Sequence, residues 1–294
     1  MNITLQLIVN ALQIGAVYVV FALGLTLIFG VMKIINFAHG EFFTLTGLTI
    51  SALVPYITGI SHLPNWAVYG LCFFVALVMM AVLGALAYGT IFARFNRDPV
   101  GALIVSLGLS MLMQGLFTLW FGTAPQRVPP LVPGTVSLLG ARISNDRIII
   151  VALALILTLA LYLFLQKSKV GVAIRATAED HEAATLQGID TRRIALFGFG
   201  IGIVLAAVAG ALIAPTTVLT PLIGSDYLTK AFIIIIIGGA GSIEGAILGG
   251  FVVGAIESFA GFYLDQTSTL IMLLALVSLI LLARPQGLLG HAAR

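Results

Sequence analysis

Asn36, His39 and Glu41 stand close together in the stretch GVMKIINFAHGEF, Gly30 to Phe42. An amide, an imidazole and a carboxylate at this spacing could pass a proton, hold a cation or grip the charged ends of a small polar solute. They lie between two long apolar segments, and a charge at the centre of a bilayer costs about 2.5–3.5 kcal/mol on insertion scales, which makes such residues functional candidates by default. A second reading stands beside this one: Asn36, His39, Gly40 and Glu41 could form a helix break in which the polar side chains satisfy freed backbone groups. Enzymatic use of His39 and Glu41 ranks far lower, because two ionisable groups do not make a set of nucleophile, base and orienter. Further along, Glu244 follows the run Gly238-Gly239-Ala240-Gly241-Ser242. A helix N-terminus there would favour an anion, so capping is its expected role. Glu257 could lie near an interface and need no partner.

Whether these residues lie in a membrane is decided by composition. Of 294 residues, 60% are hydrophobic and 9% charged, and the mean hydropathy is +1.16. Soluble domains carry about 25% charged residues, so this chain has too little charge to cover a water-facing surface. A soluble enzyme, a disordered chain and a secreted disulfide scaffold are excluded. The single cysteine, Cys72, lies in an apolar run and rules out a Cys-rich metal site; no metal site is expected. The net charge of +3 is read as membrane topology and not as a nucleic-acid footprint.

Uncharged stretches long enough to cross recur from Met1 to Met32, Phe42 to Ala93, Pro99 to Gln126, Ile148 to Gln166, Ile194 to Ser225 and Gln266 to Ala283. The first lacks the basic start and cleavage site of a signal peptide, so it is expected to be retained. The second must hold two spans, with a turn at Pro55, Gly59, Pro64 and Asn65. Between Lys230 and Glu257 the apolar pieces are each too short to cross and are separated at Gly239 and Gly241, which reads as a broken or re-entrant pair facing the protein interior. The break before His39-Gly40-Glu41 and the one before Ser242-Ile243-Glu244 look like two copies of one design, an internal duplication of the kind used by transporters. The expectation is an all-α polytopic membrane protein, one permease-like domain over residues 1–294, with about eight transmembrane helices and broken or re-entrant segments. With the N-terminus outside, Lys33, Arg94, Arg97, Lys167, Lys169, Arg175, Arg192, Arg193, Arg284 and Arg294 fall inside. Arg127, Arg142, Arg147 and Lys230 fall outside. The inside excess supports this orientation and a cytoplasmic C-terminus.

Dense charge is confined to Gln166 to Arg193, QKSKVGVAIRATAEDHEAATLQGIDTRR. This segment must lie in water, and its chemistry is that of a short helix. Thr177 could cap it, Glu179, Asp180 and Glu182 put negative charge at the positive end of the dipole, and Ala183 and Ala184 keep it slim. Gly188 followed by Ile189 reads as a left-handed C-cap. Asp190 or Thr191 could cap the next membrane helix.

Within that segment, EAATLQG from Glu182 to Gly188 resembles the EAA-x-x-x-G loop of ATP-binding-cassette importer permeases, without the Ile-x-Leu-Pro that usually follows it. Taken with INFAHGEFF at Ile35 to Phe43, IIGGAGSIEGAILGG at Ile237 to Gly250 and the terminal RPQGLLG, the chain resembles the permease subunits of branched-chain amino-acid importers, and the shorter of their two permease types. The resemblance implies a second homologous permease subunit, two cytoplasmic ATP-binding subunits and an extracytoplasmic substrate-binding protein as partners in a bacterial inner membrane, with leucine, isoleucine and valine as expected substrates. It implies a cytoplasmic coupling helix over Ala178 to Gln187, within the loop 167–193, with Glu179, Asp180, Glu182, Ala183, Ala184 and Gly188 facing the ATPase. No cofactor is expected in this chain. It has no G-x-x-x-x-G-K-[S/T] phosphate loop, so ATP would be bound by the partners and the chain is not itself an enzyme. Asn36, His39, Gly40, Glu41, Gly239, Gly241 and Glu244 are the expected translocation-path or helix-break residues. The competing class is a stand-alone ion-coupled carrier, which broken helices with acids near them would also fit.

Overall fold

The structure, a computed structural model, describes residues 3–95, 98–138 and 141–290. Arg97 and Arg294, placed inside by the charge count, lie outside the described residues. The helices are α1 Ile3–Met32, α2 His39–Ile60, α3 Asn65–Thr90, α4 Pro99–Phe121, α5 Asn145–Lys167, α6 Lys169–Glu179, α7 His181–Leu186, α8 Thr191–Ile213, α9 Ile223–Gly238, α10 Ile243–Tyr263 and α11 Gln266–Ala283. Among the described residues, eight of these are long and apolar enough to cross a membrane: α1 to α5, α8, α10 and α11. The protein is an all-α polytopic membrane protein. Its strands, β1 Thr135–Leu138 and β2 Ala141–Ser144, pair antiparallel with Thr135 opposite Ser144. They mark one end of the bundle, here the hairpin face; α6 and α7 mark the other, the loop face.

Helix α1 is the central post, buried without interruption from Gly15 to Ile28. It packs antiparallel to α8 and α10 through glycines. A Cβ on Gly24 would stand 2.6 Å from the Gly202 carbonyl oxygen, and one on Gly254 would stand 2.5 Å from the Gly15 backbone. Lipid gives helices no hydrophobic reason to associate, so such close backbone approach and its dispersion contacts hold the post in place. The outer helices α3, α4, α5 and α11 instead present Phe74, Met111, Leu119, Leu159 and Leu282 outward, as a lipid- or partner-covered surface requires.

Two helices start halfway through the bundle. After Met32 the chain turns at Lys33 and runs back without helical structure to Ala38, where α2 begins. His39 Nε2 lies 3.3 Å from the Phe21 carbonyl oxygen, and Phe21 is about 16 Å up α1 from its loop-face end at 1.5 Å per residue. From the opposite face, α8 ends at Ile213 and the chain descends to Ile223. Gln13 Nε2 donates to Thr216 Oγ1 at 3.1 Å near the top of this descent, and Gly224 abuts Gly40 at its foot. The segment α9 that follows has 16 residues, about 24 Å, too short for a hydrocarbon layer of about 30 Å.

The duplication is therefore inverted, and its second half is not the one the sequence indicated. Helix α1, the segment 33–38 and α2 correspond to α8, the segment 214–222 and α9, entering from opposite faces. The uncharged run Ile194 to Ser225 conceals the second break because no acid marks it. Three local expectations are corrected as well. Pro55 lies inside α2, and the turn falls at residues 61–64. Thr177 does not cap; its hydroxyl donates to the Ala173 carbonyl within α6. Lys230, counted as an outer-loop charge, sits within α9. The loop after α4 is tied inward by Gln126, whose backbone pairs with Leu219 of the descending segment at 2.8 and 2.9 Å.

Candidate functional site

The polar site is built where the half-helices begin. Asn36 Oδ1 accepts from the Ala38 amide at 3.0 Å, closing the turn that starts α2, and the Phe37 amide donates to Ser106 Oγ on α4 at 3.1 Å. Glu41, in the first turn of α2, is reached from two other helices. Ser110 Oγ donates to its Oε1 at 2.9 Å and Gln114 Nε2 at 2.7 Å; Gln114 Nε2 also lies 3.0 Å from Ser225 Oγ of α9. One carboxylate oxygen thus gathers α2, α4 and α9. Asn36, His39 and Glu41 are fully buried. Asn36 Nδ2, His39 Nδ1 and Glu41 Oε2 have no hydrogen-bond partner, although burying an unpaired polar atom costs roughly 1–3 kcal/mol.

Beside them the two helix starts touch. A Cβ on Gly224 would stand 2.0 Å from the Gly40 carbonyl oxygen and 2.4 Å from Thr44 Oγ1. The Gly224 amide donates to Thr44 Oγ1 at 3.0 Å. Both positions admit glycine alone for reasons of space. Phe43 stacks on Tyr227 with centroids 4.4 Å apart, and Phe21 bears edgewise on both rings.

Gly239, Gly241 and Glu244 are elsewhere. Gly239 and Gly241 have φ of +105° and +85°, values that favour glycine, and Ser242 caps α10 by accepting from the Gly245 amide at 3.0 Å. The terminal stretch lies against this turn: Leu288 N donates to Ile237 O at 2.8 Å and Leu289 N to Gly238 O at 3.0 Å. Glu244 is exposed in the first turn of α10, where the dipole favours its charge. The structure brings together Asn36, His39, Gly40 and Glu41, but not these three with them. Glu257, read as needing no partner, has two: Lys230 Nζ at 2.5 Å and the Tyr18 hydroxyl.

At the loop face, one contact ties the start of the first break to the charged segment. Lys33 holds φ at +54°, and its ammonium donates to the Ala178 carbonyl in the last turn of α6 at 2.8 Å. The coupling helix expected over 178–187 is divided. Asp180 ends α6 and caps α7, its Oδ1 accepting from the Glu182 and Ala183 amides, both at 2.9 Å. Gly188, at φ +81°, closes α7, with the Ile189 amide donating back to Ala184 O at 3.1 Å. That is the six-to-one bond of a Schellman end. Ala184 is buried, while Glu179, Asp180, Glu182, Ala183 and Gly188 face solvent. Leu186 is 87% exposed beside them.

Sequence reasoning missed Ser106, Ser110 and Gln114. They recur every fourth residue in an otherwise apolar α4, which puts them on one stripe, and that spacing was the available signal. Among the described residues, no group of three or more His, Cys, Asp or Glu could hold a metal ion.

A family model described as the permease component of a branched-chain amino acid transport system matches residues 7–283. This chain belongs to that family. Among its relatives is the high-affinity branched-chain amino acid transport system permease protein LivH of Escherichia coli strain K12, 33% identical over 98% of this chain and 96% of the relative. LivH of Salmonella typhimurium is 32% identical over the same shares. BraD of Pseudomonas aeruginosa, named likewise as a high-affinity branched-chain amino acid permease protein, is 33% identical, again over 98% and 96%. No solved structure matches.

Proposed function

We propose that the chain is one of two homologous permease subunits of an ATP-binding-cassette importer and carries leucine, isoleucine and valine across a bacterial inner membrane. Family membership and the names of relatives covering nearly its whole length support this reading over the stand-alone carrier. The observation that carries it is the joining of a solvent-facing loop to a buried polar junction through Lys33. Two ATP-binding subunits would dock on the loop face, and an extracytoplasmic binding protein would deliver substrate to the hairpin face. The N-terminus is then outside and the C-terminus cytoplasmic, in keeping with the lysines and arginines gathered at the loop face.

In this reading the loop face receives the ATPase through α7. Asp180 and Gly188 fix its two ends, Ala183 allows close approach, Ala184 seats it, and Glu179 and Glu182 select basic partners. Movement of α6 would be felt at Lys33 and passed along residues 34–38 to Asn36, His39, Gly40 and Glu41, which border the translocation path. Gly239, Gly241 and Glu244 would act as the hinge on which α9 follows. The permease needs no cofactor, since ATP is hydrolysed by its partners. The test is purification of the tagged chain from its native membrane in mild detergent, with mass spectrometry of what accompanies it. Two ATPase subunits and a related permease, lost on altering Glu182 and Gly188, are expected. A chain recovered only with itself, under conditions that preserve other complexes, would sink the proposal.

A further inference from the structure

A second polar cluster lies apart from Glu41, in the hairpin-face half of the bundle. Lys230 of α9 and Glu257 of α10 form an ion pair at 2.5 Å, with side chains 14% and 23% exposed. The Tyr18 hydroxyl of α1 donates to the other carboxylate oxygen of Glu257. The ammonium also lies over two rings, 5.5 Å from the centroid of Tyr18 and 5.8 Å from that of Tyr227. One turn earlier on α9, Asp226 is exposed, although it follows directly on the Gly40 and Gly224 contact halfway through the bundle. A carboxylate at that depth is not stable against lipid. The surface it belongs to must therefore be covered by water, solute or protein.

These three charges line a cavity of about 530 Å³ between α1, α9, α10 and α11. Its rim near the hairpin face carries Gln266 and Phe262, its apolar side Ile14, Leu270 and Leu273, and its deep end Asp226 and Lys230. The size is that of a small-molecule pocket, with charge at one end and aliphatic wall at the other. The charges select what can enter. Two carboxylates and one ammonium repel a simple anion and would trap a simple cation. A solute with an ammonium and a carboxylate on one carbon can offer each ion a new counter-charge at once, so the pair opens without stranding a desolvated ion, a loss that costs several kcal/mol.

We propose that the Lys230 and Glu257 pair is opened by a zwitterionic α-amino acid entering this cavity, its carboxylate received by Lys230 and its ammonium by Glu257 and Asp226. The aliphatic side chain then lies against Ile14, Leu270 and Leu273, and the solute waits one helical turn from the Gly40 and Gly224 junction. The inference rests on the importer reading and adds an entry site to it. Aromatic faces beside Lys230 keep the ammonium stabilised while its partner changes.

The test uses the complete importer, reconstituted in proteoliposomes with its binding protein, with ATP-driven uptake of radiolabelled L-leucine and basal ATP hydrolysis measured together. Lys230→Met with Glu257→Gln removes both charges at nearly constant shape, and Gln can still accept from Tyr18. This double variant is expected to assemble and hydrolyse ATP as the wild type does while uptake falls about tenfold or more, a loss of ~1.4 kcal/mol in transport. Lys230→Arg, which keeps the charge, is expected to retain most uptake. A neutral pair with uptake within about twofold of wild type overturns the proposal, as does one that loses uptake only together with assembly and ATP hydrolysis. Wild-type uptake indifferent to ATP would instead refute the importer reading, and the neutral pair would still decide the entry site by whatever gradient drives uptake.

Discussion

Replacing Gly224 with alanine should jam the junction between the two half-helices. The added Cβ would lie 2.0 Å from the Gly40 carbonyl oxygen and 2.4 Å from Thr44 Oγ1, so α9 must retreat by about 1 Å or more to reach contact distance. Overpacking of this kind costs typically 1–3 kcal/mol. The retreat also stretches the 3.0 Å bond from the Gly224 amide to Thr44, worth about 1 kcal/mol net. Together these come to about 2–4 kcal/mol against the conformation in which the half-helices meet. A control lies in Gly89→Ala, where no atom stands within 4 Å of the new methyl and helix propensity favours alanine by about 1 kcal/mol. The assay is thermal unfolding of the detergent-purified complex beside ATP-driven L-leucine uptake in proteoliposomes. Gly224→Ala should lower both, and Gly89→Ala neither. If Gly224→Ala keeps the wild-type transition and uptake, the backbone contact at the centre of this account is not made in the functioning protein.

Three further outcomes follow from the same geometry. Glu41→Ala strands Ser110 and Gln114 and should lower stability by about 1–3 kcal/mol, whereas Glu41→Gln, which still offers them an oxygen, should keep the melting temperature of the complex and impair uptake only. Asp180→Ala removes two amide bonds at the start of α7 and should cost about 1 kcal/mol of local helix stability, read as weaker co-purification of the ATPase subunits, with Asp180→Asn restoring it. Lys33→Gly relieves a positive φ of +54° and should raise stability by about 1 kcal/mol, yet lower the leucine carried per ATP hydrolysed, because the bond to Ala178 is gone; an unchanged ratio would remove Lys33 from the coupling route.

Span number, the divided run from Phe42 to Ala93 and the solvated loop were legible because each rests on local hydropathy or capping chemistry. The first break was legible too, since Asn36, His39 and Glu41 are conspicuous in an apolar context. Its counterpart at 214–222 was not. It contains no charge, and the residues that identify it, Gly224 and Thr216, gain meaning only from Gly40 and Gln13 far away in sequence. The same limit applied to Lys230 and Glu257: counted singly, one looked like a topology signal and the other like an interfacial acid, and only the folding of α9 against α10 made them a pair. Conversely, Gly239 and Gly241 looked like the second break because glycine runs read alike at any depth, whether they open a path or turn a chain against its own C-terminal stretch.

Because the two half-helices enter from opposite faces and meet end to start, the insulating layer of this protein is far thinner than the membrane around it. If water follows each entering segment inward, the membrane potential falls over the few residues around Gly40 and Gly224, and not over the length of α1. A lone ion crossing there would meet the full electrical work, about 2.3 kcal/mol per charge at 100 mV. A zwitterion carries its two charges through together and meets almost none, so the narrowest layer in the fold is electrically transparent to such a solute and steepest for the ions that must not leak with it.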